Sequence, residues 1–223
     1  MSLEAILAAR RERSVGRLKP EHREKQERHI AELRSSGMLE RAVKVGDDAP
    51  PFALPNTRGE RVASQELLAR GPLVVSFFRG KWCPYCVAEL EALDEIVPEL
   101  RSLGGELVVI TPQRAERTAE LVAEKSLRFD VCTDRGNRVA EAYGIGYVFP
   151  DYLRDLYRDI LKHDIAEHND DDAWKLPIPA RFVIDPAGIV REAKIDPDYR
   201  HRPEPADSLA VVRELVMAGA QRL

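Results

Sequence analysis

Residues 73–86 read LVVSFFRGKWCPYC, an apolar run that leads directly into two cysteines three positions apart. The run at 73–78 is continuous and rich in β-branched and aromatic side chains, which is typical of a buried strand. The segment after the cysteines, 87–103, places four apolar side chains on one face of a helix: Leu90, Leu93, Val97 and Leu100. The stretch therefore predicts a strand, a tight turn that carries the cysteine pair, and an amphipathic helix.

The two cysteines lie at the predicted start of that helix, and this position has chemical consequences. Cys83 falls near the N-cap and Cys86 about one turn further on, so free backbone N–H groups and the positive helix end face the first sulfur. Such surroundings stabilise the reactive thiolate, and Arg79 and Lys81 add positive charge nearby. Pro84, at the first helical position, gives up only an N–H that the helix does not use. The second sulfur is placed to attack a mixed disulfide formed by the first.

Short β-rich runs alternate with helical stretches over the rest of the chain. Strands are predicted at 106–110, 129–132, 182–185 and 189–195. Helices are predicted at 115–125, 136–143, 151–161 and 206–217. The last two strands are joined by the turn PAG and form a hairpin. Strands that alternate with crossover helices and close in a hairpin indicate an α/β sheet covered on both faces.

The first 45 residues differ from the rest of the chain in charge. They carry eleven Lys/Arg against seven Asp/Glu, a balance of +4, while the remainder carries 23 against 31, a balance of −8. A first helix is predicted near the N-terminus, and Pro20 stands where a second one begins. That second helix has only Ile30 and Leu33 to bury, so it must pack on the main domain or on a second subunit. A basic arm for nucleic acid is the alternative, which the interleaved acidic residues disfavour.

The composition excludes several classes of protein. With 223 residues, 44% of them hydrophobic, the chain is long enough for one large domain with a sizeable core. Its formal net charge of −4 does not favour nucleic acid or an anionic membrane as a partner. No stretch approaches the roughly 18 consecutive apolar residues of a membrane span. Three cysteines are too few for a disulfide framework, so we expect a cytoplasmic protein.

The cysteine pair is also compatible with a zinc site or with structural packing when only the residues are considered. A CxxC is half of a typical zinc site, but no second CxxC follows, and Cys132, His163 and His168 are scattered. Two buried structural cysteines fit a strand–Trp–CxxC–helix arrangement poorly. Cys132 lies in a predicted strand and is interpreted as a small buried residue, with a resolving cysteine as the alternative. We therefore favour redox chemistry and expect no metal.

Three separated segments carry a resemblance to a known family: VGDDAPPFALPN, FFRGKWCPYC and PIPARFVIDPAG. With the order of strands and helices, they resemble the thioredoxin-like superfamily. More narrowly, residues 45–223 resemble the CxxC-containing, peroxiredoxin-like branch of the alkyl hydroperoxide reductase/thiol-specific antioxidant group. The resemblance implies a thioredoxin-like α/β fold with a central mixed sheet, helices on both faces and a helical insert at about 148–176. Residues 1–44 lie outside it as a helical N-terminal extension. No metal, flavin or nucleotide cofactor is implied.

The resemblance leaves the attacking cysteine open, because two subfamilies use different sulfurs. Thioredoxins and glutaredoxins use the first cysteine of CxxC, which corresponds to Cys83 in the glutaredoxin-type sequence CPYC. Peroxiredoxins attack peroxide with the cysteine of PxxxTxxC, which corresponds to Cys86. The proline and threonine of that motif then fall on Arg79 and Cys83, and Arg181 replaces a later arginine of the family. Because the threonine that holds peroxide is lost, we expect disulfide reduction to exceed peroxide reduction.

The resemblance also implies residues that support the pair. Pro179 corresponds to the proline before the penultimate strand that is cis and packs against the CxxC, and Ile178 would present its backbone to substrate. Trp82 is expected to pack beside the reactive sulfur, and Trp174 to anchor the insert. The full set of expected supporting residues is Arg79, Lys81, Trp82, Pro84, Tyr85, Ile178, Pro179 and Arg181.

The function predicted from these residues is that of a thiol-dependent oxidoreductase with an antioxidant role. Cys83 and Cys86 would reduce a disulfide, or a peroxide as a second substrate class, and a thioredoxin- or glutathione-type donor would reduce them again. One alternative is a peroxiredoxin-type peroxidase with Cys86 as its peroxidatic cysteine. A second alternative is a redox-sensing or scaffold protein that keeps the fold without turnover. No nucleic acid or membrane partner is expected, and a homodimer is one way to cover the N-terminal helices.

Overall fold

The computed structural model describes residues 1–16 and 18–220. Its strands are β1 (Ala53–Pro55), β2 (Arg61–Ala63), β3 (Leu73–Phe77), β4 (Glu106–Thr111), β5 (Asp130–Thr133), β6 (Gly146–Val148), β7 (Lys175–Pro177), β8 (Ala180–Ile184) and β9 (Val190–Ile195). Its helices are α1 (Leu3–Val15), α2 (Pro20–Ser35), α3 (Met38–Arg41), α4 (Ser64–Leu68), α5 (Pro84–Ser102), α6 (Ala115–Lys125), α7 (Arg138–Ala142), α8 (Asp151–Asp155), α9 (Ile165–Asn169) and α10 (Pro205–Ala220). A 3-10 turn, Arg135–Asn137, precedes α7, and a π-helical turn, Leu156–Ile160, continues α8.

A five-stranded mixed sheet, in the order β5-β4-β3-β8-β9, forms the centre of the fold. The central strand β3 pairs in parallel with β4 and antiparallel with β8, so that Val75 lies opposite both Val108 and Phe182. On one side β5 joins β4 in parallel, and on the opposite side β8 and β9 form the predicted antiparallel hairpin. The predicted α/β fold with a central mixed sheet is therefore confirmed.

Alternate residues of β3 enter cores on opposite faces of the sheet, as the period of two in a strand requires. Val74 belongs to a core that includes the buried faces of α5 and α10, whose side chains are Leu90, Leu93, Val97, Leu100, Leu209 and Val212. Leu73, Val75 and Phe77 belong to a second core with α3, α4 and α7. Burial on both faces explains why β3, LVVSF, is apolar at every position except Ser76 rather than alternating.

The N-terminal arm, residues 1–44, packs on its own chain. Leu3 and Leu7 of α1 are fully buried in the core beneath α5, and Ile30 of α2 is 2% exposed. The backbone N–H groups of Leu3 and Glu4 donate to the Glu204 carboxylate at 3.1 and 2.9 Å. The predicted helices are confirmed, and the arm obtains its order from tertiary contacts.

Several short elements were not predicted from the sequence. These are α3, the β1–β2 pair, α4, α9 and the β6–β7 pair, each of three to five residues. Elements of that length contain too few residues to establish a hydrophobic period, and packing against the larger elements decides them. The predicted insert contains α8, the π-helical turn and α9, between β6 and β7. Within the described ranges, no helix is both long and apolar enough to cross a membrane.

Candidate active site

Cys83 and Cys86 lie where β3 is followed by α5. Cys83 is the N-cap of α5 and Pro84 its first residue, as the sequence predicts. The preceding turn requires Gly80, whose φ is +149° and whose position leaves no room for a side chain: a Cβ there would lie 2.4 Å from Nε1 of Trp82. The Gln113 side-chain oxygen accepts the N–H of Lys81 at 2.9 Å. These contacts hold the turn that positions Cys83.

Arg79 supplies the positive charge beside the first sulfur. Its Nη2 lies 3.2 Å from Sγ of Cys83, and the residue is only 2% exposed. The guanidinium stacks on Tyr199, 3.7 Å from the ring centroid, and lies 4.9 Å from that of Trp82. Among the described residues no carboxylate forms an ion pair with Arg79, and the group beside it that can carry a negative charge is the Cys83 thiol. Cys83 is therefore its counter-ion.

A second buried arginine reaches the second sulfur. Nη2 of Arg202 lies 3.4 Å from Sγ of Cys86, and its Nε donates to Glu89 at 2.6 Å. The side chains of Arg202 and Glu89 are 2% and 3% exposed, so this is a buried ion pair. Arg202 also donates to the carbonyl of His201 at 2.8 Å within its own loop, so its contacts with Glu89 and Cys86 tie the 196–204 loop to the start of α5.

These contacts shift the pKa values of the two thiols in opposite directions. Burial alone raises the pKa of Cys83, but the hydrogen bond from Cys86 and the charges of Arg79 and Arg202 hold that pKa well below its ordinary value. Burial, the same hydrogen bond and the negative charge at Cys83 raise the pKa of Cys86 well above its ordinary value. The surroundings therefore favour a thiolate at Cys83 and a thiol at Cys86.

Such a pair can perform thiol–disulfide exchange. The Cys83 thiolate is the nucleophile, and the Cys86 thiol, within hydrogen-bonding distance, can resolve a mixed disulfide. Both cysteines are free in this structure.

Solvent access to the reactive sulfur is restricted. Arg79 and Gly80 of the turn before the pair are buried, and so are both cysteines. Arg79 is covered because it stacks beneath Tyr199 of the 196–204 loop. A cavity of about 790 Å³ borders Cys83, and aromatic side chains line much of it: Trp82, Tyr85, Tyr157 and Tyr199.

Lys81 and Trp82 have different surroundings although they are adjacent in sequence. The Lys81 ammonium pairs with Glu124 at 3.1 Å and Glu120 at 3.5 Å on α6. Its charge is thus paired with carboxylates of α6, and the contribution of Lys81 to the field at Cys83 stays a prediction. Trp82 lies edge-on to Tyr157, with ring centroids 5.8 Å apart, and lines the cavity beside Cys83.

The predicted residues before and within β8 do not take the places that the resemblance implied. The Ile178–Pro179 peptide is trans, as is every peptide bond in the described residues, so the cis expectation is wrong. The Ile178 N–H donates to the Ile145 carbonyl at 2.8 Å, which keeps the segment extended and leaves that N–H unavailable to a substrate. Arg181 donates to the carbonyls of Pro203 and Glu204 at 2.7 and 2.9 Å. It supports the 196–204 loop rather than contacting either sulfur.

Sequence reasoning missed Arg202, Tyr199 and Gln113. Arg202 is 116 positions from the cysteine that it contacts, so no local spacing connects them. The one signal in the sequence was the position of YRHRPEP, a basic segment between the predicted hairpin and the last helix. Only the fold brings that segment to the start of α5.

The third cysteine is far from this chemistry. Cys132 lies in β5 within the second core, and burial raises its pKa to about 12. It is a small buried apolar residue, as interpreted from the sequence. Trp174 is buried against Phe149, with ring centroids 5.9 Å apart, inside the insert region. Across residues 1–16 and 18–220, no three His, Cys, Asp or Glu side chains are grouped to hold a metal ion.

Comparison with known sequences supports the redox interpretation. The family model described as the AhpC/TSA family matches residues 45–193. The thiol-disulfide oxidoreductase ResA of Bacillus thuringiensis (strain Al Hakam) is 25% identical over 126 residues, which cover 56% of this chain and 72% of that protein. ResA of Geobacillus thermodenitrificans is 29% identical over 136 residues, which cover 57% of this chain and 77% of that protein. The arm precedes the matched family region.

Solved structures share the fold at low sequence identity. Peroxidoxin BcpB from Mycobacterium tuberculosis aligns with a TM-score of 0.61 and 19% identity, over 78% of this chain and 98% of that one. A yeast mitochondrial 1-Cys peroxiredoxin aligns with a TM-score of 0.60 and 16% identity, over 80% of this chain and 78% of that one. Peroxiredoxins and this chain therefore share one architecture.

Proposed function

The chain belongs to the AhpC/TSA family, and on that premise we propose that Cys83 attacks a disulfide substrate and that Cys86 completes the reduction. The protein is a thiol-dependent oxidoreductase with Cys83 and Cys86 as its redox pair. The observation that carries the proposed order of attack is the contact of Arg79 with Cys83, 3.2 Å from the sulfur. Together with the acidity difference, it favours Cys83 as the thiolate.

The cycle balances in two exchange steps. The Cys83 thiolate attacks one sulfur of the substrate disulfide, forms a mixed disulfide and expels the other half as a thiolate. Cys86 then loses its proton to that departing thiolate and attacks Sγ of Cys83, which releases the second half. The substrate gains two electrons and the protein holds a Cys83–Cys86 disulfide, which an external thiol donor reduces.

Peroxide reduction with an antioxidant role is the second candidate. The observation that favours it is Arg202, whose guanidinium lies 3.4 Å from Cys86, the sulfur that corresponds to the peroxide-attacking cysteine of the peroxiredoxins. The raised pKa of Cys86 argues against it, because the thiol is a poor nucleophile. We therefore propose disulfides as the main substrates and peroxides as secondary ones. A redox-sensing role without turnover is the outcome in which neither substrate is consumed.

The proposed reductant is a thiol donor of thioredoxin or glutathione type. We further propose a cytoplasmic location, because three cysteines are too few for the disulfide framework typical of exported proteins. We assign the arm to its own subunit, since Leu3 and Leu7 are already buried within one chain.

Comparison of Cys83→Ser with Cys86→Ser tests the order of attack. Cys86→Ser should trap a mixed disulfide through Cys83, detected by mass spectrometry, while Cys83→Ser should lose disulfide reduction. If Cys83→Ser instead retains single-turnover peroxide reduction and forms a sulfenic acid at Cys86, the peroxidase alternative is correct. Should neither variant differ from wild type with either substrate, the redox function itself is refuted.

A further inference from the structure

The cavity beside Cys83 has one wall that lies outside the matched family region. Its volume is about 790 Å³, and side chains of the arm, among them Arg11, Leu18 and Arg23, face the aromatic residues around Cys83 across it. Ligand cavities for small organic molecules have volumes of about 300–1,000 Å³. The arm thus completes a chamber of small-molecule size over the reactive sulfur.

The arm is held in place at several points along this wall. Arg11 donates to the carbonyl of Arg200 at 3.0 Å, and Arg200 pairs with Glu27 of α2 at 2.6 Å. These contacts join α1 and α2 to the 196–204 loop, which also covers Arg79 through Tyr199. With Leu3 and Leu7 buried below, the wall is a packed part of the fold.

Burial of Cys83 limits the substrates that can reach it. The residue is buried from solvent, and it lines a cavity built partly from the arm. A disulfide within a folded protein brings bulky backbone close to both sulfurs, which this chamber has no room to admit. A disulfide between two small organic groups fits its dimensions.

The charges of the wall indicate what else such a molecule carries. Arg11 pairs with Glu4, and Arg200 with Glu27 and Asp198. Arg23 is different, because it lines the cavity and none of the described carboxylates forms an ion pair with it. A guanidinium without a paired carboxylate can bind the carboxylate of a ligand through two N–H groups. Glu24 also lines the cavity, as an exposed residue.

We propose that the chamber binds a small organic disulfide with an apolar or aromatic body and a carboxylate, and that Arg23 holds that carboxylate while Cys83 attacks the sulfur. This inference rests on the proposed function and specifies its substrate class. The aromatic side chains pack on the body of the ligand, and the arm excludes macromolecular disulfides and protein donors, so that of the two proposed donors the small, glutathione-type thiol is the one that reaches the pair. The exchange steps and their proton and electron balance are those of the cycle given above.

Two chromogenic aromatic disulfides of similar size provide the test on the reduced, full-length protein. Dithiobis(nitrobenzoic acid) carries carboxylates, and dithiodipyridine carries none. Rates with wild type are measured against Cys83→Ser, which reports the reaction of the remaining thiols. Arg23→Gln should lower the rate with the carboxylate disulfide about tenfold, equivalent to about 1.4 kcal/mol, and leave the neutral one within about twofold. Arg23→Lys should restore part of the loss.

Lys25→Gln is the matched control, since Lys25 is an exposed residue of the same helix and removing it changes the net charge equally. It should leave both rates unchanged. The carboxylate assignment is overturned if Arg23→Gln and Lys25→Gln behave alike, or if Arg23→Gln slows both disulfides equally. Reduction of insulin as fast as dithiodipyridine would overturn the exclusion of macromolecules. If wild type reacts with neither small disulfide faster than Cys83→Ser does, the proposed function fails instead.

Discussion

Replacing Arg79 by Met should make the Cys83–Cys86 disulfide easier to form and harder to reduce. In the dithiol state the buried Arg79 guanidinium has the Cys83 thiolate as its counter-ion, at 3.2 Å. In the disulfide state that negative charge is gone, and the aromatic rings of Tyr199 and Trp82 beside the cation carry no charge to replace it. Arg79 therefore stabilises the reduced protein relative to the oxidised one.

The size of the effect follows from the contact that is lost. A hydrogen bond to a charged group contributes about 1.5–3 kcal/mol. For a two-electron couple, about 1.4 kcal/mol corresponds to about 30 mV, so the reduction potential of Arg79→Met should be lower by about 30–60 mV. The pKa of Cys83 should rise in the variant, because a charge that lowers it has been removed.

Equilibration with a glutathione redox buffer at neutral pH measures the potential, and thiolate absorbance against pH measures the acidity of Cys83. The depressed pKa of Cys83 stabilises the reduced wild type fully above the ordinary thiol pKa, about 8.5. This contribution is lost as the pH falls through the depressed value. Arg79→Met should weaken that pH dependence of the unfolding free energy.

An exposed arginine distant from the pair provides the control. Arg138→Met removes the same charge from α7 and should change neither the potential nor the acidity of Cys83. If Arg79→Met is folded and has a wild-type potential and thiolate titration, Arg79 does not stabilise the thiolate. A potential that rises instead would mean that Arg79 favours the disulfide, contrary to the geometry.

Two further predictions concern the disulfide and the arm. Alkylation and peptide mapping after mild oxidation should find Cys83 joined to Cys86 and Cys132 free, because burial raises the pKa of Cys132 to about 12. A disulfide found consistently between Cys132 and either Cys83 or Cys86 would contradict the proposed cycle. Deleting residues 1–40 should lower the melting temperature, since it removes Leu3 and Leu7 from the core. Equal melting temperature and oligomeric state in the truncated and full chains would make the arm dispensable.

Most of the large elements were predictable from local pattern. The continuous apolar run of β3 reflects burial on both faces of the sheet, and the spacing of Leu90, Leu93 and Val97 reflects one buried face of α5. Both patterns repeat over enough residues to be recognised. The short pairs β1–β2 and β6–β7 have three residues per strand, so their existence depends on neighbours distant in the chain.

The cysteine pair was predictable for a similar reason. A helix start is a local feature, and a proline after Cys83 with an amphipathic run beyond it indicates where the free N–H groups lie. The mapped family positions Ile178, Pro179 and Arg181 were less informative. Their backbone and side-chain hydrogen bonds are used inside the protein, on Ile145, Pro203 and Glu204. A resemblance to a family identifies which positions of the sequence correspond, whereas these hydrogen bonds depend on which residues lie beside each position in the folded chain.

By itself, the sequence determined the strand–turn–helix unit, the place of Cys83 at its helix start and the redox class of the chemistry, because each depends on residues within about one or two helical turns of one another. The tertiary structure decided which charges lie beside the two sulfurs and which side chains line the cavity that leads to them. Arg202 is 116 positions from Cys86, and the arm residue Arg23 is 60 positions from Cys83, yet folding brings Arg202 to the sulfur and Arg23 to the cavity that Cys83 borders. Electrostatic interactions and the burial of a side chain depend on distances in space rather than on separation along the chain, so they are determined only when the chain has folded.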